Sequence, residues 1–260
     1  MQKEDIKFRS SAVLEGMTSV RALLYGRKNN IHDRRILRIL YDRTREEKLR
    51  RDLGFLRANG QIYGFPVEGV SAEEIEQRAI GTSHGGVLAE CGERTIPLLH
   101  DCRSSLSGGG FYVMIQGIED PYNFGYALRS LYACGIDGIV LSERNWMSAA
   151  GVVARASAGA SEMLPAYIAT AEEAADIFHA IGYRVVCADE RTEHILPDTT
   201  LRKPLLLIIG GERRGISRAL LDRADILVKI PYERGFRASL SAASAATILG
   251  YEIMRQNRSK

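Results

Sequence analysis

Leu205-Leu206-Leu207-Ile208-Ile209-Gly210-Gly211-Glu212-Arg213-Arg214-Gly215-Ile216-Ser217 is a run of aliphatic residues that breaks into a glycine-rich turn with an acid inside it. So short an aliphatic run, without polar alternation, fits a strand covered on both faces, as in a parallel sheet flanked by helices. Glycines directly after such a strand let backbone amides approach a ligand closely. The turn superficially matches a dinucleotide fingerprint, which keeps a nucleotide-binding enzyme among the readings. Its spacing is imperfect, however, it follows the fifth strand of its region instead of the first, and the acidic ribose ligand is missing. Taken alone, a turn of this kind is structural more often than not.

Working outward, short apolar runs alternate with amphipathic segments from Phe111 to the end. Strands are expected at Phe111 to Ile115, Gly138 to Leu141, Met163 to Ile168, Arg184 to Ala188, Leu205 to Ile209 and Ile226 to Ile230. Helices are expected at Phe124 to Cys134, Ser148 to Ala156, Ala171 to Ile181, briefly after Ser217, and in an Ala-rich stretch from about Ser239 to Gln256. This is the pattern of an α/β domain with a mostly parallel sheet.

Towards the N-terminus the reading is a smaller α/β unit. A helix at Met17 to Tyr25 is followed by a strand near Ile31, a helix through the basic stretch, a strand at Ile62 to Phe65 and a helix from Ser71. Ser71 and Glu74 have capping-box spacing. Asp101 to Gly110, with Ser107-Gly108-Gly109-Gly110 at its end, has linker composition. The expected division is residues 1–100, a linker at 101–110, and a larger domain at 111–260.

Net charge is only +3 over 260 residues, too little to imply a polyanionic partner. It is unevenly spread, however: between Arg21 and Arg57 twelve Lys/Arg face five acids, so that segment carries +7 and the remainder −4. Pairs such as Glu46 with Arg50 would produce an ordinary solvated helix face, yet the excess survives the pairing and puts RNA slightly ahead. The four cysteines form no CxxC pair and have no nearby His partners, so no metal is implied and reduced thiols in a cytoplasmic protein are expected. The charged Met1-Gln2-Lys3-Glu4-Asp5 lacks the apolar segment of a secretory signal, and no apolar run is long enough for a bilayer.

Two further stretches carry chemistry. In Gln116-Gly117-Ile118-Glu119-Asp120-Pro121-Tyr122-Asn123-Phe124-Gly125-Tyr126-Ala127-Leu128-Arg129 a loop runs into a helix. Asn123 has the chemistry of a helix cap. Arg129 falls among apolar and small residues, where a partly buried guanidinium needs an anion; a functional anion and a structural ion pair stand level there. In Ile230-Pro231-Tyr232-Glu233-Arg234-Gly235-Phe236-Arg237-Ala238-Ser239-Leu240-Ser241 a strand ends at proline, and a polar loop leads to a helix that a serine can cap.

The three stretches, in this order, resemble the three motifs of the SpoU/TrmH RNA methyltransferases of the SPOUT superfamily. Asn123, Gly125 and Arg129 match the first, Gly210, Glu212 and Gly215 the second, and Ile230-Pro231 with Ser239-Leu240 the third. Arg155-Ala156-Ser157-Ala158-Gly159-Ala160 resembles the family's Ser-x-Gly-Ala segment. Glu15-Gly16, Val20, Leu23 and His84-x-Gly86 resemble its substrate-binding domain, related to RNA-binding ribosomal proteins. The likeness runs from about residue 11 to 255. One departure stands out, because the family's Asn-Val-Ser after Ser-Leu reads Ser241-Ala242-Ala243 here.

The resemblance implies a trefoil-knotted catalytic domain preceded by a small RNA-binding domain, a homodimer joined through the knotted domain, and S-adenosylmethionine as cofactor. It implies methyl transfer to a ribose 2′-hydroxyl of a structured RNA, ribosomal RNA ahead of transfer RNA. Catalytic roles fall to Asn123, Arg129 and Ser241; Ile209, Gly210, Glu212, Gly215, Ile230 and Leu240 would hold the cofactor; Arg34, Arg35, Arg38 and His84 would meet RNA. A non-catalytic RNA-binding protein and a base methyltransferase on the same scaffold are the alternatives that the altered third motif leaves open.

Overall fold

The computed structural model describes residues 13–211, 215–235 and 238–258. Up to Cys91 the chain runs β1 (Val13–Glu15), α1 (Gly16–Lys28), β2 (Ile36–Asp42), α2 (Arg50–Tyr63), β3 (Val67–Val70), α3 (Ala72–Arg78) and β4 (Val87–Cys91). From Phe111 it runs β5 (Phe111–Ile115), α4 (Pro121–Ala133), β6 (Gly138–Leu141), α5 (Ala150–Ala156), α6 (Ala160–Met163), β7 (Ala166–Ile168) and α7 (Ala171–Ala180). It continues with β8 (Arg184–Ala188), β9 (Leu205–Ile209), α8 (Arg218–Leu221), β10 (Ile226–Val228) and α9 (Ala242–Asn257).

These elements form two compact units. The first joins the chain up to Thr95 with Trp146–Met163; the second joins Ile96–Asn145 with the chain from Leu164 onward. The first unit has a four-stranded sheet in the order β1-β4-β2-β3, antiparallel except where β2 pairs with β3. Its core packs Leu14, Leu23, Ile39, Leu53, Leu56 and Val87, and it includes Ala150 and Ala154 from α5. The Trp146–Met163 segment therefore belongs with the N-terminal elements, an arrangement that local sequence does not announce.

In the second unit six strands, all parallel, lie in the order β10-β8-β9-β5-β6-β7. The central pair is in register from Phe111 opposite Leu205 to Ile115 opposite Ile209, and every residue of both strands is buried. That burial on both faces is what the unbroken aliphatic run predicts. Helix α9 packs against α4 through Gly250, where an added Cβ would lie 3.0 Å from the Leu131 side chain.

Several boundaries differ from expectation. No strand forms at Ile62 to Phe65: α2 continues to Tyr63 because Leu53, Leu56 and Gly60 repeat on one buried face, and it stops at Gly64, a left-handed cap with φ of 75°. The strand comes later, at Val67, after Pro66. The expected strand near Ile31 is the turn that closes α1, with Ile31 N–H donating to the Gly26 carbonyl, and the basic stretch is divided between β2 and α2 instead of forming one helix. Met163 closes α6, so the strand expected from that residue starts only at Ala166. Asp101–Gly110, expected as a linker, is packed within the second unit: its start forms a 3-10 turn, Ser107 N–H donates to the Tyr112 hydroxyl at 3.1 Å, and Gly110 N–H donates to Tyr183 at 2.8 Å. Among the described residues no helix is long and apolar enough to cross a membrane.

Candidate active site

In a parallel sheet the loops that leave the carboxyl ends of the strands share one edge. The loops after β5, β9 and β10 are the three motif stretches, so the sheet direction alone gathers them. Two meet backbone to backbone. Gln116 N–H donates to the Ile209 carbonyl at 3.0 Å, and an added Cβ on Gly211 would lie 2.9 Å from the Gly117 Cα and 3.0 Å from the Gln116 oxygen. Across its own turn Gly210 is equally confined, with a Cβ falling 2.7 Å from the Gly215 carbonyl carbon. Gly215 has φ of 59° and donates back to the Gly211 carbonyl at 3.0 Å. There is thus no room for a side chain on Gly210 or Gly211, and the two turns meet through backbone. Glu212 lies outside the described residues.

The first motif's helix begins differently from its sequence reading. Asp120 caps α4, its carboxylate accepting from Asn123 N–H at 2.7 Å, and Pro121 takes the first helical position. Asn123 is thus inside the first turn and half-buried, with its own side chain released from capping. Arg129, expected to be partly buried, is exposed, and its guanidinium has no partner among the described residues. At 1.5 Å per residue Arg129 lies about 9 Å further along the helix axis than Asn123, so the two are stations on one helix and not a contact pair.

In the third motif, Leu240 N–H donates to the Tyr232 hydroxyl at 3.1 Å, which closes the loop on itself. Ser241 caps α9, its hydroxyl accepting from Ser244 N–H at 3.2 Å and lying 3.0 Å from the Ser244 hydroxyl. Ile230 and Leu240 are half-buried. At the end of β8, the Arg191 guanidinium donates two hydrogen bonds, 3.0 and 2.7 Å, to Asp189, and its backbone N–H donates a third at 2.8 Å, which together hold that carboxyl below its usual range. Burial pushes the Cys187 thiol up to about 12, which removes it as a nucleophile. Sequence reasoning missed Gln116, Gly117, Gly211 and Tyr232; consecutive glycines could have flagged Gly211, whereas nothing local flags Tyr232.

In the first unit the four expected RNA contacts separate. Arg34 is a correction: it is 2% exposed, reaches Glu162 Oε2 at 3.1 Å and the Gly92 carbonyl at 2.9 Å, and its charge is spent internally. Arg38 is partly exposed but paired with Glu90 at 2.7 Å and Glu68 at 3.6 Å. Arg35 is exposed. His84 is 4% exposed, accepting from Gly86 N–H at 3.1 Å and facing Glu76 at 3.0 Å.

The model of the SpoU rRNA methylase family matches residues 110–251. The 23S rRNA (guanosine-2′-O-)-methyltransferase RlmB of Shewanella oneidensis is 28% identical over 263 residues, all of each chain being covered. A TrmH-family protein of Staphylococcus haemolyticus is 34% identical over 145 residues, 55% of this chain and 58% of that protein. The crystal structure of an AdoMet-bound rRNA methyltransferase from Sinorhizobium meliloti superposes with a TM-score of 0.77 at 22% identity, over 99% of this chain and 96% of that one.

Proposed function

Because the chain belongs to the SpoU rRNA methylase family, we propose that it transfers a methyl group from S-adenosylmethionine (AdoMet) to a ribose 2′-hydroxyl of a structured RNA, ribosomal RNA ahead of transfer RNA. The observation that carries this reading is the backbone-lined corner in which the Gly210–Gly215 turn meets Gly117 on the carboxyl edge of the sheet. It suits a flat adenosyl group read by main-chain amides and carbonyls. Full-length similarity to a guanosine-2′-O-methyltransferase supports ribose as acceptor and ribosomal RNA as substrate.

When bound, AdoMet supplies an electrophilic methyl group on a sulfonium. Ile209, Gly210, Gly215, Ile230 and Leu240 would hold it. Glu212 belongs to the same matched motif. The Ile209 carbonyl, the Gly215 N–H and the Leu240 N–H already have partners within the protein, which leaves the Leu240 carbonyl for the cofactor. Asn123 and Arg129 work on the acceptor. A guanidinium stays protonated, with a pKa above about 12, so Arg129 serves as a phosphate ligand and as a stabiliser of charge growing on the 2′-oxygen, not as a base. As the O–C bond forms and the S–C bond breaks, the hydroxyl proton leaves to solvent. Ser241 contributes by fixing the start of α9 beside the site.

The same reading includes a trefoil knot and a homodimer in the cytoplasm. Support for the knot comes from the return of the chain from edge strand β10 to α9, whose end is clasped by the β8–β9 connection: Gln256 accepts from Leu201 N–H at 2.8 Å and Asn257 accepts from Lys203 N–H at 3.0 Å. Support for the dimer comes from Tyr126 on α4 and Ile248 and Tyr251 on α9, large apolar side chains left exposed. RNA affinity would come largely from the N-terminal unit, through Arg35, Arg38 and neighbouring cations.

Arg129→Lys tests the assigned role. The variant keeps the charge and loses the planar fork, so kcat/KM for RNA should fall roughly 10- to 100-fold while AdoMet affinity by calorimetry is unchanged. Activity close to the parent protein would remove any need for a bidentate group at 129.

A further inference from the structure

Helix α1, 13 residues long, starts without the features that normally satisfy a helix N-terminus. No side chain caps it and its first turn contains no acid, so its leading N–H groups have no side-chain acceptor. That turn opens onto a cavity of about 300 Å³ within the first unit, walled also by Glu15, Ser83, His84 and Arg155. Ser19 lines it: the residue is 2% exposed, and its hydroxyl has no hydrogen-bond partner among the described residues.

Two further groups make this a built site and not a bare helix end. Arg155 lies against the Cα of Gly81, where any Cβ would collide with the guanidinium, so glycine there is what admits it. The Glu15 side chain, 1% exposed, accepts from Ile80 N–H, accepts from Gly81 N–H at 3.0 Å and meets Arg155 Nη1 at 3.4 Å. Its carboxylate is thus satisfied mainly by backbone, and it steadies one nitrogen of a guanidinium whose side chain stays 35% exposed. His84 has both ring nitrogens engaged, with Gly86 and Glu76, and serves as wall.

Helix amides, a free hydroxyl and a guanidinium steadied by the Glu15 carboxylate converge on one cavity. We propose that this cavity binds a phosphate group, supplied by the backbone of the RNA substrate. The proposal rests on the RNA methyltransferase reading for its source of phosphate, while the anion site itself stands on the geometry of the first unit.

Thr18→Glu tests it. Thr18 is exposed on the cavity wall, and an acid in the first turn favours the helix, so the fold is retained while a carboxylate occupies the place of the anion. The RNA affinity of the full chain should fall about tenfold at 0.1 M salt, and the log–log salt dependence should become shallower by about 0.7 to 0.9, the share of one phosphate. AdoMet affinity should not move. In the parent protein, but not the variant, titration with inorganic phosphate should shift the amide resonances of residues 16–19 saturably. Absence of that shift overturns the anion site. A shift combined with unchanged RNA affinity and salt slope overturns the assignment to RNA and leaves a free-phosphate site. If the parent protein binds no RNA, the function reading fails, and the phosphate titration decides the cavity by itself.

Discussion

His32 is buried in the first unit with neither ring nitrogen hydrogen-bonded, although Nε2 lies 3.4 Å from Glu162 Oε2. Burial lowers its pKa to about 4, against the pull of the Glu162 carboxylate and with help from Arg94, Arg34 and Arg27. A depressed histidine takes up its proton in the unfolded chain first, so its contribution is present above pH 6.5 and lost as pH falls towards 4. At about 1.4 kcal/mol per unit the full shift amounts to about 3 to 4 kcal/mol. Denaturant unfolding from pH 7.5 to 4.5 should therefore lose stability more steeply in the parent protein than in His32→Gln; parallel curves would show that His32 does not titrate with folding. The same cluster explains why Arg34 was misread. Its partner Glu162 is 128 residues away, and a basic run looks the same whether one of its arginines turns inward or all face water. Arg129 was misread in the opposite sense, because small and apolar neighbours do not by themselves fix which side of α4 a residue takes.

At the scale of elements, β5, β6, β8 and β9 were legible to the residue, because each is built on a short apolar run, in β8 preceded by Arg184, that polar or turn residues bound. Elements failed where two periods compete, as at Ile62 to Phe65, where aromatic and β-branched residues favour a strand but the apolar spacing that continues from Leu53 favours a helix. Helix α1 illustrates tertiary override of intrinsic preference. A glycine inside a helix costs about 0.5 to 1 kcal/mol relative to alanine, so Gly26→Ala ought to stabilise. In the structure a Cβ on Gly26 would run into the Glu162 carbonyl oxygen and the His32 ring. Overpacking of this kind costs about 1 to 3 kcal/mol, so Gly26→Ala should lower the unfolding free energy measured in denaturant. A gain would mean that α6 does not pack on α1 as described.

For the molecule as a whole, what the sequence conceals is order in space. Periodicity marks the strands but not that β9 lies between β5 and β8, nor that Trp146–Met163 packs with the N-terminal elements. That the three motif turns share one edge was nevertheless legible, since each directly follows a strand, and once all strands run parallel such turns must lie together. The site's least legible member is Ser241, the position at which the third motif departs from the family's pattern and which also carries the cap of α9. The central claim is methyl transfer to ribose, and it is tested most directly by incubating the purified protein with AdoMet and unmodified ribosomal RNA, digesting the RNA to nucleosides and locating the added methyl group by mass spectrometry. The account predicts a single 2′-O-methylnucleoside, absent from the reaction with Arg129→Ala. A methyl group on the base, or product formation undiminished by Arg129→Ala, would contradict it.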